Sequence, residues 1–218
     1  MFDLEKVINN FKIIPSNETN NILLDNMNNM GSKNILYVFA GPNGSGKSTL
    51  VANFYNQGFF DNVKYLNADI FAKTLFNNIL NDKEKNIKAM EYTINKINNN
   101  MKSGDSVIYE TVLSHPSKLD IIKAYKKHGY QIISVFVSPC NPEINIERVE
   151  QRVREGGHNV PKEKIVDRFY KSNGFKKSLM ELSDVYYCVD NTFVPKITHI
   201  AMKNFDMIND DVDKDNSL

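Results

Sequence analysis

One eight-residue stretch constrains this chain more than any other: Gly41-Pro42-Asn43-Gly44-Ser45-Gly46-Lys47-Ser48. It fits the pattern of a glycine-rich phosphate-binding loop, in which backbone N–H groups cradle phosphates while a lysine and a hydroxyl reach phosphate and metal. The pattern has force only where a buried strand precedes it and a helix follows. Here it follows Ile35-Leu36-Tyr37-Val38-Phe39-Ala40, a short unbroken apolar run. Such a run suits a parallel strand buried on both faces. A helical pattern over 48–55 comes next. Strand, loop and helix N-terminus therefore converge on one anion site.

The rest of the chain repeats that alternation. Apolar segments recur at 63–67, 106–109, 131–137 and 185–189, and a last segment at 196–202 reads as an edge strand. Helical patterns lie between them at 70–80, 84–101, 117–128, 142–155 and 161–182. Strand alternating with helix predicts a three-layer α/β domain, a P-loop kinase fold with a mostly parallel five- or six-stranded sheet. The expected division is a peripheral amphipathic helix and polar segment over 1–32, the kinase domain over 33–206, and an acidic frayed tail over 207–218. A helical lid is expected at about 148–168.

Composition narrows the function classes. A net charge of +1 supplies no general field toward nucleic acid or an anionic membrane. The first residues lack a basic and apolar leader, and no apolar run approaches a membrane span. A soluble, cytoplasmic protein is the expectation. Cys140 and Cys188 lie far apart without ligand-like spacing, as reduced thiols would. Asparagine is about one residue in seven, but it is spread along the chain, which sets it apart from a prion-like tract.

Each loop residue type has a physical reason. Gly41, Gly44 and Gly46 let successive N–H groups turn toward phosphate oxygens. Pro42, Asn43 and Ser45 complete the cradle, and Thr49 follows in the first helical turn. Lys47 is expected at the β- and γ-phosphates and the Ser48 hydroxyl on Mg²⁺. ATP and Mg²⁺ are the cofactors this loop calls for.

Ligands of open α/β sheets sit beyond the carboxyl ends of the strands, and three polar groups of residues fall there. After the second strand come Asn67-Ala68-Asp69. Asp69 suits a general base for an acceptor hydroxyl, and equally an N-cap for the helix that follows. After the third strand come Tyr109-Glu110-Thr111, then Ser114 and His115. Glu110 is placed either to hold Mg²⁺ through water or to bind substrate, and His115 beside Pro116 reads as a turn residue near the pocket. The third group carries Arg148, Arg152 and Arg154, then Gly156-Gly157-His158, then Arg168. Arginines on a hinged flap would clamp a transferring phosphoryl group; the same residues also suit a solvated helix surface neutralised by Glu147 and Glu150.

The ordered blocks Gly-Pro-Asn-Gly-Ser-Gly-Lys-Ser-Thr-Leu (41–50), Asn-Ala-Asp-Ile-Phe-Ala (67–72), Glu-Thr-Val-Leu-Ser-His (110–115) and the 148–161 flap, with Asp190-Asn191, resemble the zeta-toxin family of P-loop kinases. The likeness spans about 33–200, and the Gly-Gly-His-Asn-Val-Pro flap is similar to the family's chromosomal branch. The resemblance implies ATP-dependent phosphorylation of a nucleotide-sugar, typically at the sugar 3′-hydroxyl of UDP-N-acetylglucosamine. It implies a small antitoxin partner that blocks the ATP site. By position it makes Asp69 the general base and gives ATP–Mg²⁺ to Lys47 and Ser48. Glu110 and Thr111 would position the acceptor, with Asn67 and His115 beside them. Arg152 or Arg154, with Arg168, would contact phosphates, Arg154 and Arg168 as catalytic groups and Arg152 on the substrate side. Two other readings stay open: a kinase of another small molecule or nucleotide, and a non-catalytic ATP-dependent switch.

Overall fold

The computed structural model describes residues 34–60 and 63–202. The amphipathic stretch at 2–11, the polar segment up to 32 and the acidic tail from 207 lie outside the described residues.

The apolar run before the glycine loop forms β1 (Ile35–Ala40), buried at every position. Alternation along a strand sends neighbours to opposite faces, and β1 does this with apolar residues throughout. Leu36, Val38 and Ala40 join one core cluster, while Ile35, Tyr37 and Phe39 join another on the opposite side. Helix α1 (Lys47–Asn56) covers the second side with Leu50, Val51 and Phe54. The chain then forms β2 (Lys64–Leu66), α2 (Ala68–Thr74), α3 (Asp82–Ser103), β3 (Val107–Thr111), α4 (Ser117–Lys127) and β4 (Gln131–Ser138). Helices α5 (Pro142–Arg154), α6 (Lys162–Gly174) and α7 (Lys176–Leu182) precede β5 (Val185–Asp190) and β6 (Lys196–Met202). Ala89 and Ile97 of α3, Ile122 and Tyr125 of α4 and Leu179 of α7 fill the first cluster.

The sheet has six strands in the order β2-β3-β1-β4-β5-β6. The first five run parallel, and only β6 is antiparallel to its neighbour. Beta-1 thus lies between strands reached by connections that go opposite ways, the switch point where such sheets bind ligands. Register sets what meets there. Ala40 is level with Thr111 and with Phe136, and Leu66 is level with Tyr109. Residues 41, 67 and 110–111 are therefore brought to one rim by strand pairing alone.

Most boundaries shift by a residue or two, and three departures bear on the site or the core. The helix expected at 70–80 starts at Ala68 and stops at Thr74, because Asn67 takes the capping role: its Oδ1 accepts from Asp69 N at 2.9 Å and Ile70 N at 3.4 Å. Leu80, which completed the apolar pattern, is 98% exposed. The helix expected at 161–182 is two helices, parted after Gly174, where helix propensity is weak; Phe175 turns onto the α3–α4 side of the core. The third strand extends to Thr111, since Phe39 and Ala40 pair with its last two residues. No helix among the described residues is long and apolar enough to cross a membrane.

Candidate active site

The glycine loop is shaped by its neighbours as much as by any ligand. Gly46 has φ 94°, and a Cβ there would lie 2.3 Å from the Nδ2 of Asn191. That amide donates to the Ser45 carbonyl at 2.8 Å, so a side chain at 46 would break the contact that holds the loop to the end of β5. At Gly41, φ 144°, a Cβ would meet the Val137 carbonyl oxygen at 1.9 Å. Asn145 of α5, fully buried, donates to the Asn43 carbonyl at 2.6 Å. Arg168 of α6 donates to Asn43 Oδ1 at 3.1 Å. Pro42 and Ser45 are buried, and Thr49 is half-buried in the first turn of α1.

Lys47 opens α1 and is 6% exposed. Its Nζ donates to the Pro42 carbonyl at 2.8 Å, with Ser45 Oγ at 3.5 Å. Burial pushes its pKa down from the ordinary lysine value; the carboxylates of Glu110 and Asp69 oppose that, and Arg152 adds to it. The same groups act on Arg152, whose pKa is lowered by burial and held up by Asp69 and Glu110. Lys47, Asp69, Glu110 and Arg152 thus share one field, two cations against two carboxylates.

Ser48 Oγ donates to Glu110 Oε1 at 2.8 Å, and the Tyr65 hydroxyl donates to Glu110 Oε2. A hydroxyl and a carboxylate oxygen side by side are hard oxygen donors of the kind Mg²⁺ takes beside phosphates. The pair fits that metal. Asp69 lies in the first turn of α2, exposed, and its carboxylate makes no hydrogen bond among the described residues. Of its two sequence readings, the capping role belongs instead to Asn67.

The remaining expected residues fall differently. Thr111 is buried, and its Oγ1 accepts from Leu113 N at 3.1 Å, supporting a turn in which Leu113 has φ 53°. His115 is exposed; its Nδ1 lies 2.9 Å from Ser117 Oγ and accepts from Ser117 N at 3.2 Å, at the start of α4. Arg152 donates from Nη2 to the His158 carbonyl at 2.8 Å. The glycine pair wraps around it: Gly157 N donates to the Arg152 carbonyl at 2.8 Å, and a Cβ at 157 would lie 2.5 Å from Arg152 Cγ. A small apolar cluster of Val149, Val160 and Ile165 pins α5 to α6 beneath this turn. Arg154 is exposed on a different face of α5. There it lines, with Arg148, Glu147, Gln151, Thr192 and Phe193, a cavity of about 460 Å³. Arg148 anchors that cavity by donating to the Thr192 carbonyl at 3.1 Å.

Two site residues had not been singled out from sequence, Tyr65 and Asn145. Tyr65 reads as an ordinary strand residue, and only the pairing of β2 with β3 places its hydroxyl on Glu110. Asn145 did leave a signal: it sits four residues before Val149 on the buried face of α5, a polar residue where the helix pattern calls for an apolar one.

The zeta toxin pattern matches residues 20–194. The chain belongs to the zeta toxin family. A relative within reach by sequence is an uncharacterized protein of Haemophilus influenzae, 29% identical over 140 residues that cover 64% of this zeta toxin family member and 94% of that protein. Two solved structures share the fold at low identity. AvrRxo1-ORF1, in complex with ORF2 and with ATP, has a TM-score of 0.62 at 14% identity, covering 84% of this chain and 66% of that one. The PezAT chromosomal toxin–antitoxin system of Streptococcus pneumoniae gives 0.56 at 12% identity, covering 86% of this chain and 83% of that one.

Proposed function

We propose that this zeta toxin family member is an ATP-dependent kinase that transfers the γ-phosphate to a hydroxyl of a small molecule. The first acceptor to test is the sugar 3′-hydroxyl of UDP-N-acetylglucosamine. The observation that carries the reading is the shared field of Lys47, Asp69, Glu110 and Arg152 at the rim built by β1, β2 and β3. A phosphate on the loop meets two cations there, and a free carboxylate stands beside them for the acceptor's proton.

Phosphoryl transfer needs positioning and charge stabilisation more than covalent help. The loop N–H groups and the start of α1 hold the phosphates, and Lys47 meets the charge that grows on the transferring group. Arg152 meets it from the flap side, held in place by His158 and the glycine turn. Arg168, on Asn43 Oδ1, ties the flap to the loop. Ser48 and Glu110 are the residues that would hold Mg²⁺, which would supply positive charge against the phosphates. Asp69 takes the acceptor proton. The cavity beside Thr192 and Arg148 is where the nucleobase would extend. A small antitoxin is the partner this reading implies, supported by the toxin–antitoxin system to which one structural neighbour belongs.

The test is ADP release with ATP and Mg²⁺, with and without UDP-N-acetylglucosamine, and mass analysis of the acceptor. Acceptor-dependent ADP and a product heavier by one phosphate are expected. ATP binding without transfer to that sugar would send the search to other metabolites.

The two flap arginines are expected to separate kinetically. Arg152→Ala should lower kcat by about 10²–10³-fold, the usual effect of removing one preorganised charge-stabilising donor. Arg154→Ala should leave kcat close to wild type and raise KM for ATP through the cavity it lines. Steady-state kinetics of both variants decides this; equal kcat losses would place Arg154 in the phosphate clamp.

A further inference from the structure

A hydrogen-bonded chain runs under the site from one side to the other. Ser48 Oγ donates to Glu110 Oε1 at 2.8 Å, the Tyr65 hydroxyl donates to Glu110 Oε2, Asn67 Nδ2 donates to the Tyr65 oxygen at 3.2 Å, and Asn67 Oδ1 accepts from Asp69 N at 2.9 Å. Its middle link is a phenol from β2 that is 7% exposed. The Tyr65 ring belongs to the core cluster on the α1 side of the sheet, with Phe54, Phe60 and Ile70, so the backbone and ring are fixed independently of the hydroxyl. The hydroxyl makes both of its bonds to residues of the rim.

We propose that Tyr65 is a positioning residue that aims Glu110 at the metal side of the site and sets it in register with the α2 turn carrying Asp69. A carboxylate on one strand end can rotate. Held by a phenol on one oxygen, Glu110 presents the other to Ser48, which is the orientation a metal shared between them needs. The second bond of the phenol, to Asn67, reaches the residue that caps α2. The spacing between the metal donors and the candidate base is thereby set by side-chain bonds and not by the strand ends alone. Outer partners of this kind orient the groups that touch a metal, and their loss typically costs about 10–100-fold in metal affinity or activity. The inference rests on the kinase reading for its consequence in catalysis, but its metal consequence stands apart from turnover.

The experiment measures Mn²⁺, as a spectroscopic stand-in for Mg²⁺, bound to the full chain with ADP present, by electron paramagnetic resonance titration. Tyr65→Phe keeps the ring and removes only the hydroxyl. It is expected to weaken Mn²⁺ by about tenfold or more, while ADP affinity without metal stays at the wild-type value. Glu110→Gln should weaken Mn²⁺ as well, and the double variant should be no weaker than Glu110→Gln alone, because Tyr65 acts through Glu110. Wild-type Mn²⁺ affinity in Tyr65→Phe, or losses that multiply in the double variant, would overturn the proposal. A loss of metal-free ADP binding in parallel with Mn²⁺ would overturn it too, since a merely structural role moves both. If the wild-type protein binds Mn²⁺ and ADP but transfers phosphate to no acceptor, the kinase reading fails while this result stands.

Discussion

Lys47→Met is expected to fold as the wild type does and to lose phosphoryl transfer by at least about 10²–10³-fold, the range for one charge-stabilising donor in a water-poor site. The lysine is buried and its ammonium is kept in place by the Pro42 carbonyl, with Glu110 and Asp69 nearby. Burial disfavours its charged form, so the folded chain holds this cation against a desolvation penalty. Methionine fills the same path with a flexible apolar chain and removes the penalty. The Pro42 carbonyl keeps a second donor in Ser45 N at 3.3 Å. Thermal unfolding of the variant should therefore lie within a few degrees of wild type, while ADP release under saturating acceptor collapses. A variant that keeps kcat within about tenfold would show that the loop N–H groups and Arg152 suffice, and that the field around Lys47 is not what lowers the barrier.

The parts of this molecule that could be read from its residues are those fixed by local rules. The apolar run of β1, the glycine loop and the start of α1 follow from periodicity and from a motif with a mechanism, and they occur where expected. The final edge strand does as well. What escaped depends on relations between elements. Arg152 and Arg154 stand two residues apart, roughly 200° around a helix, so only one of them can face the rim. Which one is decided by how α5 packs on α6 and by the turn that closes over Arg152. Tyr65 was invisible because its importance lies in strand register. Asn67 and Asp69 both suit a helix N-terminus by propensity, and the choice between them turns on two residues of helix start. Leu80 misled for the opposite reason: an apolar side chain continued a helical pattern past the point where the chain had left the core.

The choice of Asn67 as the cap gives Asp69 its sharpest test. Asp69→Asn is expected to reduce acceptor phosphorylation by about 10²–10⁴-fold, the usual contribution of a positioned general base, with little change in ATP affinity. The substitution conserves shape at an exposed position whose carboxylate holds no hydrogen bond among the described residues, and the helix start is secured by Asn67. Folding should be unaffected. Lys47 and Arg152 lose one of the two carboxylates that favour their charged forms, but Glu110 remains beside both, so the phosphate site keeps its cations. A kinase and an ATP-dependent switch then part company. In a kinase, acceptor-dependent ADP release falls steeply while ATP still binds. In a switch protein, slow ATP turnover occurs without any acceptor and is the same in the variant and the wild type. Measuring ATP binding by calorimetry and ADP release with and without UDP-N-acetylglucosamine, on both proteins, separates the two. If Asp69→Asn transfers phosphate at the wild-type rate, proton removal is not assisted at that position. The free carboxylate would then serve only to balance the two cations it faces.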